Sequence, residues 1–404
     1  MNITDSSVRH QCTSCQVCAA VCPTGAISIN LDEDGYYRPF VDAETCIDCG
    51  LCAKTCYKYD DAIIVTTESG LIEKTLYSAW AKYDDLLKHT TSGGIGDILA
   101  RSLIDNGYKV VGVVYDADKV RAEHRIATTA EETILFRGSK YIQSYTINAL
   151  KEVVTNCKKE KYAVFGTPCQ IYALNKLATL RNCRGNFVFV DLYCHGCPSI
   201  HLWRKYLIQQ KQRCKVEHFD EVNFRSKIRG WGTFNVVLKA GDKSFFTNKA
   251  IDDGFYELFF SDHVLNEGCN DCKLRGTLEY TDIRLGDFWG KKFLANRTGV
   301  SAVSIATDRG QKLFDKIKGS IVFSECDYKD CLPYQSWSFT YNPKPNLRKM
   351  LLDSLKDEEQ SITDAVRLFH KHQSLKGKLK RHVKDILRHF PLGVTMFLKK
   401  FVSA

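Results

Sequence analysis

No stretch of this chain is apolar for long enough to cross a bilayer: the longest apolar runs, such as Tyr108 to Tyr115, fall far short of the roughly 20 residues a membrane helix needs. Nor does any N-terminal stretch combine a basic start, an apolar middle and a small-residue cleavage site, so the chain is expected to be made and kept in the cytosol. In that compartment disulfides are disfavoured. The 18 cysteines therefore read as metal ligands or redox groups and not as a secreted framework. Charge is also missing where an average would place it. The overall +10 conceals a net −5 over residues 1–66 and a net +9 over residues 365–404. With 404 residues and 44% apolar composition, the chain exceeds what one core usually supports, and two or more folding units are expected.

Two cysteine runs share the form C-x2-C-x2-C-x3-C: Cys12, Cys15, Cys18 and Cys22 followed by Pro23, then Cys46, Cys49, Cys52 and Cys56 followed by Tyr57. Three closely spaced thiolates wrap one face of a cubane, and the fourth, carried away by the longer step, ligates the other cluster in two-cluster ferredoxins. The expected assignment is Cys12, Cys15, Cys18 and Cys56 on one 4Fe-4S cluster, with Cys46, Cys49, Cys52 and Cys22 on the other. Structural zinc would use C-x2-C pairs separated by longer loops. Tyr57 departs from the bacterial pattern, which has proline there, but proline only shapes the turn after the ligand. Ala26–Ile29 and Ala62–Val65 read as short strands of a duplicated unit with pseudo-twofold symmetry.

From Leu76 onward strand and helix signals alternate, as in an α/β domain. Strands are expected at 109–115, 162–165 and 187–192, and helices at 95–105, 147–155, 170–180 and 200–210. After Phe323, Cys326, Cys331, Pro333, Pro343 and Pro345 give a linker composition. Ser92-Gly93-Gly94-Ile95-Gly96 opens a helix and could cradle a phosphate. It lacks the third glycine and preceding strand of a dinucleotide fingerprint. Cys169, the pair Cys194 and Cys197, and the pair Cys269 and Cys272 lie in loops where α/β proteins gather function, and four converging thiolates there could bind a third cluster. Cys157, Cys183, Cys214, Cys326 and Cys331 have no partner spacing and read as small buried apolar residues.

Five ordered motifs then carry a resemblance. They are Ser92-Gly93-Gly94; Arg137-Gly138-Ser139-Lys140-Tyr141-Ile142-Gln143-Ser144; Gly166-Thr167-Pro168-Cys169-Gln170; Asp191-Leu192-Tyr193-Cys194-His195-Gly196; and Cys269-Asn270-Asp271-Cys272 with Gly286-Asp287-Phe288-Trp289-Gly290. Together they resemble the family of coenzyme F420 hydrogenase/dehydrogenase beta subunits, which includes 7-hydroxymethyl chlorophyll a reductase. The resemblance implies FAD beside an additional 4Fe-4S cluster. It makes Cys169, Cys194, Cys269 and Cys272 the ligands, with Cys197 an alternative to Cys194. It also makes Ser92, Gly93, Gly94, Ser139, Lys140, Tyr141 and Gln143 flavin-site candidates. Lys140 and His195, which lie in motif loops, are candidate proton donors.

The expected organisation is an α+β ferredoxin-like two-cluster module at 1–66 and a mixed α/β flavin-binding domain at 76–325, in parts 76–157 and 158–325. A linker and helical basic tail follow at 326–404. In the tail, Leu375, Leu379, Val383, Ile386, Leu387 and Phe390 recur at helical spacing opposite Lys376, Lys378, Lys380, Arg381, Lys384 and Arg388. This pattern suits either peripheral contact with the inner face of a membrane or packing on protein. Nucleic acid is not an expected partner, since no recognition module accompanies the basic tail.

Three functions follow as expectations. The first is a self-contained iron-sulfur flavoenzyme, fed by ferredoxin or another donor, that reduces an organic substrate such as a cell-surface polysaccharide precursor. The second is an electron-transfer beta subunit of a coenzyme F420-dependent hydrogenase or dehydrogenase complex. Because the chain lacks nickel-hydrogenase cysteine motifs, hydrogen chemistry there would belong to another polypeptide. The third is a non-catalytic cluster-based redox sensor.

Overall fold

The computed structural model describes residues 2–3, 11–60, 62–247, 253–375 and 377–379. The cysteine-rich module begins with helix α1 (Val17–Val21), followed by a hairpin of β1 (Ile27–Leu31) and β2 (Tyr37–Val41), and then α2 (Leu51–Thr55). The hairpin turns where Asp32 Oδ1 accepts the Tyr36 N–H at 2.8 Å and Gly35 adopts φ +81°. That glycine is required twice over, because a Cβ there would also lie 2.7 Å from His201.

The duplication is real in the ligand loops. Ser14 and Asp48 have φ of 62° and 48°, and Gln16 and Gly50 have 64° and 70°, each pair at the same step before a five-residue helix. The strands do not repeat. Contrary to expectation, residues 62–65 form no strand, and β1 pairs with β2 instead, Ile27 opposite Val41. This stretch docks through its backbone: the Ile64 N–H donates to Tyr280 Oη (3.0 Å) and the Thr66 N–H to the Gly276 carbonyl (3.1 Å), both in the large domain.

The large domain is a nine-stranded mixed sheet. Its strands are β3 (Thr75–Ala81), β4 (Lys109–Asp116), β5 (Arg121–Ala127), β6 (Ser144–Tyr145), β7 (Tyr162–Phe165), β8 (Phe187–Leu192), β12 (Ile283–Asp287), β13 (Ser301–Ile305) and β14 (Ile321–Cys326). The spatial order is β14-β3-β13-β12-β8-β7-β4-β5-β6. Between β8 and β12, the strands β9 (Glu221–Ser226), β10 (Asn235–Ala240) and β11 (Lys243–Phe246) form a separate antiparallel sheet. Strands β12, β8, β7 and β4 run parallel, so their C-terminal ends share one edge. The run Phe187–Asp191 is buried throughout because helices cover both faces of the central strands.

On one face lies α3 (Ile95–Asp105), burying Ile95, Leu99, Ala100 and Leu103. On the other lie α4 (Ile147–Asn156) and α5 (Pro168–Leu180), whose core also takes in Val17, Ala20 and Val21 of α1. The small module thus shares a core with the sheet.

Residues 326–371 are not the expected linker. After two short turns, α7 (Pro345–Lys356) and α8 (Ile362–Lys371) bury Leu347, Leu351, Leu355, Ile362 and Ala365 in one core with α6 (Ile200–Cys214). Pro345 occupies the first helical position, where a missing N–H costs nothing, so the prolines begin a helix and do not mark a spacer. The basic tail pattern lies outside the described residues beyond position 379, and Leu375 and Leu379 are exposed. Among the described residues no helix is long and apolar enough to cross a membrane.

Candidate metal centres

The two N-terminal quartets surround two cavities. One is lined by Cys12, Cys15, Cys18 and Cys56, the other by Cys22, Cys46, Cys49 and Cys52. This is the crossed arrangement in which each run lends its fourth cysteine to the other site. At the first site Cys18 is buried and Cys12, Cys15 and Cys56 are half-buried, whereas at the second Cys49 is exposed.

A third group of thiols stands against the first site. The Gly166–Gln170 segment leaves β7 and starts α5, and the adjacent strand β8 delivers Cys194 from the same sheet edge. Thr167 is the N-cap, Pro168 the first helical residue, and the Thr167 N–H donates to Gln170 Oε1 at 2.9 Å. Cys169 therefore sits in the first turn, where free N–H groups favour a thiolate. Cys15 and Cys169 share a hydrogen bond that pushes the Cys15 thiol up and the Cys169 thiol down. Burial pushes the Cys194 thiol up to about 12, with repulsion from Cys169 and Cys272 adding to it. Cys269 is likewise pushed up by burial and by Cys194, Cys272 and Cys169. Cys197 is pushed up by burial and by Cys269, Cys194 and Cys169, so it belongs to the same group.

Several thiols crowded away from water resist ionisation unless a cationic centre compensates, and iron supplies that charge. The donor set fits a cluster. Arg275 lies beside it, donating to the Cys269 carbonyl and the Phe339 carbonyl and easing the ionisation of Cys194 and Cys269.

The flavin-site candidates have partners inside the fold. Ser92 Oγ donates to the Val300 carbonyl (2.8 Å), the Gly93 N–H to Ser301 Oγ (3.0 Å), and the Ser139 N–H to Thr91 Oγ1 (2.8 Å). Gly94 caps α3 with φ +79°, as the sequence led one to expect for a helix start. The first turn of α3 already holds buried Asp97, paired with Arg137 (2.7 Å) and Arg101 (2.9 Å), which supplies the anion that a phosphate would have provided. Tyr141 Oη accepts from Arg225, which also pairs with Asp287, each at 3.0 Å.

Lys140, expected near an anionic cofactor or as a proton donor, instead donates to the carbonyls of Leu135, Phe136 and Arg137 (3.4, 3.2 and 2.9 Å). Burial lowers its ammonium to about 7. Gln143 is a clamp between modules: it donates to the carbonyls of Gly35 (2.7 Å) and Pro198 (3.1 Å) and accepts the Tyr37 N–H (3.0 Å). Gln16 answers from the other side, donating to the Ser144 carbonyl and accepting the Thr146 N–H.

His195 stands beside the third thiol group, its Nε2 3.0 Å from Asp262 Oδ1 and its Nδ1 3.0 Å from Tyr341 Oη. Asp262 and Tyr341 were not anticipated. Neither carries a motif, and only the packing of the 341–371 segment brings Tyr341 into place.

Residues 76–151 match the family model described as coenzyme F420 hydrogenase/dehydrogenase, beta subunit N-term, and residues 159–330 match that of its C terminus. The chain belongs to this family of beta subunits. Residues 11–58 match a 4Fe-4S dicluster domain fused ahead of it. The chain is 26% identical over 278 residues to the coenzyme F420 hydrogenase subunit beta of Methanococcus voltae, covering 64% of this chain and 86% of that one. It is 23% identical over 331 residues to a subunit of the F(420)H(2) dehydrogenase of Methanosarcina mazei, covering 79% and 86%. A chain of the F420-reducing [NiFe] hydrogenase complex from Methanosarcina barkeri aligns with a TM-score of 0.45 at 19% identity, over 75% of this chain and 94% of that one.

Proposed function

We propose that this chain is an iron-sulfur electron-transfer subunit of an F420-type hydrogenase or dehydrogenase enzyme, carrying three 4Fe-4S clusters in a row. The observation that carries the reading is the contiguity of the thiol groups. Cys22, Cys46, Cys49 and Cys52 line one cavity, reached from the surface at exposed Cys49, Cys12, Cys15, Cys18 and Cys56 line another, and Cys15 hydrogen-bonds Cys169 of the third group. When bound, 4Fe-4S clusters supply one-electron carriers whose potentials follow burial and hydrogen bonding to sulfur. The protein orders the carriers: Gln16 and Gln143 fix the small module on the sheet, and α5 presents Cys169 to Cys15.

The names of the relatives, one from an F420 hydrogenase and one from an F(420)H(2) dehydrogenase, favour this reading over a self-contained reductase of an organic or glycan substrate. FAD enters by resemblance alone, and the polar groups of Ser92, Gly93, Lys140 and Gln143 are already engaged. The thiol row, and not a flavin, therefore carries the proposal.

The test is reduction of the chain loaded anaerobically with clusters and with FAD, because reduced coenzyme F420 gives up a hydride whereas 4Fe-4S clusters accept single electrons. Bleaching of the cluster absorbance by reduced coenzyme F420, with little response to reduced ferredoxin, is expected if the enzyme is of the F420 type. Response to ferredoxin alone would return preference to the self-contained reductase. A redox sensor would load its clusters but turn over neither donor.

A further inference from the structure

Tyr57 stands where the two-cluster ferredoxin pattern has proline, directly after Cys56. A proline there would only shape a turn, but the tyrosine reaches across to the other domain. Its ring is buried, 5% exposed, in an apolar pocket with Tyr172 and Leu274 that also touches Cys169 and Cys272. Tyr172 meets it edge-on with centroids 6.1 Å apart, and Lys58 lies over its face at 5.0 Å. The hydroxyl lies 3.7 Å from Cys272 Sγ and 3.4 Å from the Gly268 carbonyl. It has one proton to give, and a thiolate is the stronger acceptor of the two.

We infer that Tyr57 is a positioning residue that couples the first cluster site to the third: its backbone continues from ligand Cys56, and its phenol donates to ligand Cys272. This rests on the three-cluster reading and adds a function to it. A hydrogen bond to a ligand sulfur stabilises the more negative, reduced state of a cluster, so it raises that cluster's potential. The ring also fills with protein the space between the two thiol groups that water would otherwise enter.

The experiment uses the full chain with clusters loaded anaerobically and follows each cluster by EPR during a redox titration. Cys272→Ser identifies the signal of the third cluster. Tyr57→Phe keeps the ring and removes the proton. Its iron content is expected to match wild type, while the third cluster alone moves to lower potential by about tenfold in its reduction equilibrium, or about 59 mV for one electron. Tyr172→Phe, which loses only the bond to Asp60, should leave all three potentials in place. Unmoved potentials in Tyr57→Phe, or a shift confined to the first cluster, would overturn the role of Tyr57. Wild-type iron near eight per chain would instead remove the third site itself, so failure of the role and failure of the underlying reading are separate outcomes.

Discussion

Arg284 and Asp191 are each 2% exposed and face one another at 2.9 and 2.5 Å across β12 and β8. Arg284 also donates to the carbonyls of Arg275 and Leu274, which places the segment after Cys272. Even with this partner, burial holds the Asp191 carboxyl above its ordinary range. Arg284→Met should therefore strand a buried carboxylate and lower stability by about 3–5 kcal/mol, read as a shifted denaturant midpoint. An unchanged midpoint would show that the pair has no such structural weight.

His124 offers a pH test. It is 4% exposed, neither ring nitrogen has a hydrogen-bond partner, and burial lowers its pKa to about 4. The unfolded chain takes up a proton near 6.5 while the folded chain resists until about 4. Stability is thus full above about 6.5 and declines as pH falls from there to 4, by about 3 kcal/mol in all. His124→Leu should flatten that part of the stability-against-pH curve, and a curve with the wild-type slope would assign the loss to other groups.

At the scale of elements, the docking of the small module depends on close backbone approach. A Cβ on Gly268 would lie 2.2 Å from the Gln11 carbonyl oxygen and 2.8 Å from the Cys12 backbone, so Gly268→Ala must part the Cys269 loop from the Cys12 loop. We expect this variant to retain less iron after anaerobic gel filtration than wild type; equal iron would mean that the loops separate without cost to either site. Gln143→Ala removes two bonds to the hairpin and one to Pro198, and should raise amide exchange across 27–41 while α3 stays protected.

The ligand quartets were legible from sequence because cluster binding there is local, written in a spacing of three and four residues. Cys169, Cys194, Cys269 and Cys272 were not legible from spacing, since 103 positions separate the first from the last and only strand order brings them together. The 62–65 segment has the apolar composition of a strand, yet its partner is Tyr280 and not a neighbouring strand. The prolines after Phe323 read as a spacer because proline marks both breaks and helix starts, and only burial of Leu347 to Ala365 separates the two uses. Lys140 and Gln143 were picked out by motif, and the bonds they make within the fold could not be read from it.

At the scale of the molecule, the acidic cluster module and the sheet domain share an apolar core and polar clamps. In the proposed three-cluster row, Cys49 is exposed at the second site, the first has Cys18 buried and its other three cysteines half-buried, and the third would fall in the larger domain. That order is what an entry, relay and exit require. Cys169→Ser should remove about four of twelve irons and leave the first two sites loaded, whereas loss of all iron would mean that the sites do not assemble independently. The most direct measurement is the iron and acid-labile sulfide content of the wild-type chain purified without oxygen. Three clusters in a row predict close to twelve of each per chain, and eight of each would contradict the third site and the path built on it.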